Sequence, residues 1–91
     1  MMQPRRPAPM GPVLRHLQLV TRMARTVGVD PAEAAAKGTL DQAEWAALVT
    51  RCRGCAWAEG CDRWLRATSD EGAAVPDGCP NRVRLADLAA R

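Results

Sequence analysis

Cys52, Cys55 and Cys61 fall within ten positions of the segment RCRGCAWAEGCDRW, and Cys79 follows in CPNR, giving the pattern C-x2-C-x5-C-x17-C-P. Thiolates are soft donors suited to zinc and to iron–sulfur clusters. Structural zinc sites usually present their ligands as two close pairs, each gripping one side of a tetrahedral ion. Here the grouping is three plus one. A cubane needs four thiolates at the corners of a larger object, and a loop carrying three ligands with a remote fourth meets that need. The spacing therefore favours a [4Fe–4S] cluster on Cys52, Cys55, Cys61 and Cys79 over a zinc ion on the same residues. Disulfides, or thiols buried as small apolar side chains, are the remaining readings.

The neighbours of these cysteines fit a charged centre. Arg51, Arg53, Arg63, Arg66, Arg82 and Arg84 flank them in sequence and could donate charge-assisted hydrogen bonds to sulfur, although a solvated basic face is the plainer reading. Cys79, read as the N-cap of a helix opened by Pro80, would gain from the helix dipole. Trp57 and Trp64 could cover the centre and keep water out. His16, the single histidine, stands at the edge of an apolar stripe and becomes a candidate ligand if one cysteine is not used.

Helices must position these groups. Val13, Leu17, Val20, Ala24 and Val27 recur at spacings of three and four, predicting an amphipathic helix that opens at Gly11-Pro12 and is ended by a left-handed Gly28. DPAE places Asp30 as N-cap and Pro31 at the first helical position of a short helix running to Lys37 and stopped by Gly38. Thr39 and Gln42 read as a capping box for a third helix, with Trp45, Leu48, Val49 and Cys52 on one face. Gly54 and Gly60 read as loosening the backbone around a bound centre. A helix follows Cys61, with Trp64 and Leu65 inward. Residues 69–78 read as a surface loop, and a last helix takes Val83, Leu85, Ala86 and Leu88 as its apolar positions. No segment alternates with period two for long enough to make a strand, so the fold class is all-α, with about five short helices around the four-cysteine site. Residues 1–10, Pro-rich and polar, are expected to be a disordered tail, and residues 11–91 a single helical domain.

Length and composition set bounds. A chain of 91 residues buries only about 60–65% of the surface it exposes when unfolded. Phe and Tyr are absent, large apolar side chains are few, and a bound metal or a partner would help such a core. The basic start lacks an unbroken apolar run and a small-residue cleavage site, and no stretch approaches the length of a bilayer span. A cytoplasmic location follows, where thiols are metal ligands or redox groups more often than disulfides. The net charge of +3 comes from twelve arginines and one lysine against ten acidic residues. Acidic and basic residues are interleaved, which argues against nucleic acid as a partner. No catalytic triad, carboxylate pair or Gly-rich phosphate loop is present, so an enzyme is not expected.

A leading helix ending MARTVGVD, the stretch GTLDQAEWAALVTRCRGC, a third cysteine before a short helix and a late CPNR together resemble a domain-of-unknown-function family of small bacterial four-cysteine helical proteins. The resemblance covers residues 13–91; it implies a helical domain with grouped cysteines and lends no activity. The C-x2-C-x5-C loop alone is similar to the last three ligands of the cluster loop in endonuclease III-type glycosylases and WhiB-like proteins, and Cys79-Pro80 is similar to the fourth ligand of bacterial ferredoxins. In the glycosylases and WhiB-like proteins the fourth cysteine precedes the loop, whereas here it follows. The expected function is a small iron–sulfur protein in electron transfer or redox sensing, working with a protein partner. The alternative is a zinc-stabilised interaction module without redox activity.

Overall fold

The computed structural model describes residues 11–69 and 72–91. The expected tail over 1–10 lies outside the described residues. Among the described residues the chain forms α1 (Val13–Thr26), α2 (Pro31–Ala36), α3 (Gln42–Arg53), α4 (Ala58–Ala67) and α5 (Arg82–Ala89), with no strand. No helix is long and apolar enough to cross a membrane.

Helix α1 is the element on which α2, α3 and α4 pack. Its buried line is His16, Leu19, Val20, Met23 and Ala24, continued by Val27 just past its end. This corrects the expected stripe. Val13 is 51% exposed and Leu17 is only half-buried, while the polar His16 is 4% exposed. Both lines have helical spacing, and reading the first turns by hydrophobicity alone selects Leu17 where the fold buries the imidazole one position earlier.

The ends of the helices follow local chemistry. Gly28 takes φ +96°, where a Cβ would be strained, and Val29 N–H donates across the turn to Ala24 O at 2.7 Å. Asp30 accepts from the backbone N–H groups of Ala32 and Glu33 at 3.0 and 3.2 Å, and Gly38 has φ +76°. Glu33 pairs with Lys37 at 2.6 Å. The capping box expected at Thr39 and Gln42 is shifted: Asp41 caps α3 by accepting from Glu44 N–H at 2.7 Å, and Thr39 Oγ1 donates back to Ala34 O. Asp41 binds the nearer free amide, so Thr39 serves the end of α2 instead.

Helix α5 is fastened by Leu85 (0% exposed) and Leu88. It is also held by Arg84, which donates to both oxygens of Glu44 at 2.6 Å and to Thr39 O at 3.0 Å. Val83, expected inward, is 75% exposed. The helix begins at Arg82 with Asn81 as N-cap, so Cys79 lies in the turn before it rather than at the cap itself.

Candidate metal centre

The four cysteines arrive from different parts of this frame. Cys52 lies in the last turn of α3, Cys55 in the α3–α4 connection, Cys61 in the first turns of α4, and Cys79 in the turn leading to α5. All four line one cavity and all four are free thiols. Folding thus brings Cys79 into the company of the earlier three, across a span of 18 residues (79 − 61). Apart from His16 and Asn81 the rest of the wall is apolar, with Leu19, Val20 and Met23 from α1 and Trp57 from the connection. The cavity encloses about 20 Å³, room for about one water molecule. Among the described residues, no group of three or more His, Cys, Asp or Glu side chains stands in an arrangement that could hold a metal ion.

Asn81 sets the position of the late thiol. It is 2% exposed, and its side-chain amide donates to Leu48 O at 2.8 Å while its Oδ1 accepts from Arg51 Nε at 2.7 Å. These two bonds tie the CPN segment to the last turns of α3, the turns that carry Cys52. The Asn81 backbone N–H lies toward the Cys79 sulfur and opposes the effect of burial on it. On the other side, Trp57 N–H donates to Cys55 Sγ at 3.3 Å.

Trp57 is seated by absence of side chains around it. A Cβ on Gly60 or on Gly78 would collide with its indole, so both glycines are there for space. This corrects the reading of Gly54 and Gly60 as flexible joints: neither has positive φ, and Gly60 lies within α4. Trp64 packs on the hydrophobic core rather than lining the cavity.

Burial dominates the thiol electrostatics. Cys52 is pushed up to about 12 by burial, with the thiols of Cys61, Cys55 and Cys79 adding to the effect. Cys61 is raised to about 11, again by burial first and then by Cys79 and Cys55, with Arg22 opposing. Cys79 is also raised by burial, opposed by the Asn81 N–H. Near neutral pH these three sulfurs therefore carry protons unless a cation replaces them.

Four of the six flanking arginines direct their bonds to oxygen rather than to sulfur. Arg51 bonds Asn81, Arg53 Nε donates to Gly11 O at 2.8 Å, Arg66 pairs with Asp62, and Arg84 pairs with Glu44 and Asp87. Their donors serve oxygens and brace the walls of the site. Guanidinium geometry matches carboxylates and carbonyls.

His16 and Asn81 are the two site residues that sequence patterns place least well. The His16 ring lies with Nδ1 3.5 Å from Cys52 Sγ, and the Cys52 thiol also reaches His16 O at 3.6 Å. Position 16 is one helical turn (i, i+3 and i+4) from Leu19 and Val20 of the cavity wall, a signal present in the sequence. Asn81 offers only its place two residues after Cys79.

The donor set is thus four thiols in an apolar pocket, with backbone N–H groups on two of the sulfurs and an imidazole beside a third. Thiols are donors of the softness that zinc and iron–sulfur centres take, although as they stand these side chains form no metal-holding group. No curated protein and no solved structure matches the chain. Residues 8–91 match a family of unknown function, DUF6455, and over that nearly complete span the chain belongs to this family.

Proposed function

We propose that Cys52, Cys55, Cys61 and Cys79 hold a [4Fe–4S] cluster and that the protein works in electron transfer or redox sensing, without being an enzyme by itself. The observation that carries this reading is the convergence of all four free thiols on one apolar-walled cavity. When bound, such a cluster supplies a one-electron couple. The chain's residues do the rest: Leu19, Val20, Met23 and Trp57 exclude water, and the N–H groups of Trp57 and Asn81 stabilise negative charge on sulfur. Cys52, Cys55 and Cys79 are only half-buried, which keeps the centre close enough to the surface to exchange electrons with a docked protein. Unpaired thiols suit a reducing compartment such as the cytoplasm.

The size of the cavity favours a second reading. About 20 Å³ takes a zinc ion more readily than a cubane, and a zinc-stabilised interaction module would result. Against this stands the three-plus-one spacing of the cysteines. The α3–α4 connection carrying Cys55 and Trp57 has no helix of its own, and a cubane requires it to move outward from the position seen here.

Anaerobic purification with quantification of iron, sulfide and zinc decides. About four iron and four sulfide per chain in a brown protein, lost on Cys→Ser substitution at any of the four positions, supports the cluster. One zinc per chain and no visible absorbance supports the module. Colourless, metal-free protein that takes up neither overturns both. A reversible couple then points to electron transfer, and a cluster that only decays in air to sensing.

A further inference from the structure

We infer that His16 is a positioning residue of the metal centre, its Nδ1–H donating to the sulfur of Cys52 and so setting the electron density of that ligand; this rests on the four-cysteine reading above. Two observations and the chemistry of a metal-bound thiolate point the same way.

The first is placement. His16 is 4% exposed, lines the cavity with the four cysteines, and has Nδ1 3.5 Å from Cys52 Sγ. An imidazole buried this deeply on an otherwise apolar stripe forgoes hydration, and the nearby partner is the sulfur.

The second is orientation. Gly11 lies against the opposite edge of the ring, so closely that a Cβ there would collide with Nε2. Gly11 is itself clamped to the end of α3, its N–H donating to Arg53 O at 3.0 Å and its carbonyl accepting from Arg53 Nε at 2.8 Å. The clamp closes over Nε2 and leaves Nδ1 as the nitrogen facing the site.

The third is the state of the thiol. With its proton, Cys52 can donate to His16 O at 3.6 Å. A metal-bound thiolate has no proton to give and accepts only, and Nδ1–H is the donor within reach. Hydrogen bonds to ligand sulfur withdraw charge and raise the reduction potential of a cluster, and they hold the ligand in place.

The test compares wild type with His16→Leu, His16→Asn and Gly11→Ala. Each is reconstituted anaerobically with iron and sulfide, and each is separately titrated with Co²⁺, whose thiolate charge-transfer bands report the ligand set. Circular dichroism of the metal-free forms checks that each variant is helical. His16→Leu is expected to lower the midpoint potential and to weaken Co²⁺ binding on the order of 10- to 100-fold. His16→Asn carries an amide donor near the Nδ1 position and should recover most of both. Gly11→Ala leaves the imidazole chemically intact but displaces it, and should reproduce the direction of His16→Leu.

Unchanged potential and Co²⁺ affinity in a folded, loaded His16→Leu overturns the inference while leaving the four-cysteine centre standing. So does direct nitrogen ligation seen with ¹⁵N-labelled histidine. If wild type binds neither cluster nor Co²⁺, the four-cysteine reading itself falls, and this inference with it.

Discussion

Replacing Asn81 with Ala should destabilise the metal-free domain by about 2 kcal/mol, within a range of about 1 to 3. Two bonds disappear: the neutral one to Leu48 O at 2.8 Å and the charge-assisted one from Arg51 at 2.7 Å. A neutral hydrogen bond contributes about 1 kcal/mol net and one to a charged group about 1.5 to 3. Two circumstances hold the sum down. Leu48 O lies within α3 and keeps its helical partner, and Arg51 is exposed and regains water. For a domain of this size 1 kcal/mol moves Tm by roughly 4–8 °C, so a fall of about 8–16 °C is expected in thermal denaturation followed at 222 nm. Asn81→Asp should do no better than Ala, because it keeps the acceptor for Arg51 but turns an oxygen toward the Leu48 carbonyl. A Tm within about 2 °C of wild type for Asn81→Ala would refute the claim that this side chain ties the Cys79 segment to α3.

Other outcomes follow from the same geometry. Arg84 bonds Glu44 and holds its carboxyl below the usual range, and Arg91 followed by Arg84 does the same for Asp87. A depressed folded-state pKa contributes stability above the unfolded value, near 4 for these side chains, and the contribution is lost as pH falls through the folded values. The acid limb of the Tm–pH curve should therefore be shallower in Glu44→Gln/Asp87→Asn than in wild type, with the curves converging at the lowest pH; parallel curves would contradict this. Gly78→Ala drives a methyl into the Trp57 indole and should red-shift tryptophan emission in the metal-free protein, whereas an unchanged spectrum would mean that Trp57 is seated elsewhere. Leu85→Ala removes a fully buried side chain and should cost about 2–5 kcal/mol, while Val83→Ser, on the exposed face, should stay within about 0.5 kcal/mol; chemical denaturation separates the two.

Short-range chemistry was the legible part of this fold. Asp30, Pro31, Gly28 and Gly38 act through their own backbone neighbourhoods, and each stands where its chemistry places it. The all-helical class and the inward face of Leu48 and Cys52 follow from periodicity in the same way. What escaped was set by particular side-chain contacts that periodicity does not encode, several of them between distant segments. Leu17 and His16 are equivalent by spacing, and Cys52 and Gly11, 36 and 5 positions from His16, decide which turns inward. Gly60 reads as a flexible joint until Trp57 is placed against it. The arginines around the cysteines read first as a solvated face and second as partners of sulfur, and neither reading shows that Asn81, Gly11 and Glu44 offer them oxygens. Cys79 was the reverse case: its distance in sequence gave no geometric warrant, only the four-cysteine reading asked for it, and the fold seats it in the cavity.

That placement couples the late thiol to the stability of α5. Helix α1 packs against α2, α3 and α4, whereas α5 is held by Leu85, Leu88, the Arg84 bonds and the Asn81 tether. In the metal-free protein α5 should open before the α1 core, carrying Cys79 out of the site. A metal that needs Cys79 binds the closed form only, and at 100 times its Kd it disfavours opening by about 2.7 kcal/mol, near 100-fold. Amide exchange across Arg82–Ala89 should therefore be faster than across Leu19–Ala24 without metal, and slow by about two orders of magnitude on loading. Exchange in α5 that ignores metal while the other three cysteines respond would mean that Cys79 is a bystander. Equal protection of α5 and α1 before loading would mean that the side-chain bonds alone suffice to hold it.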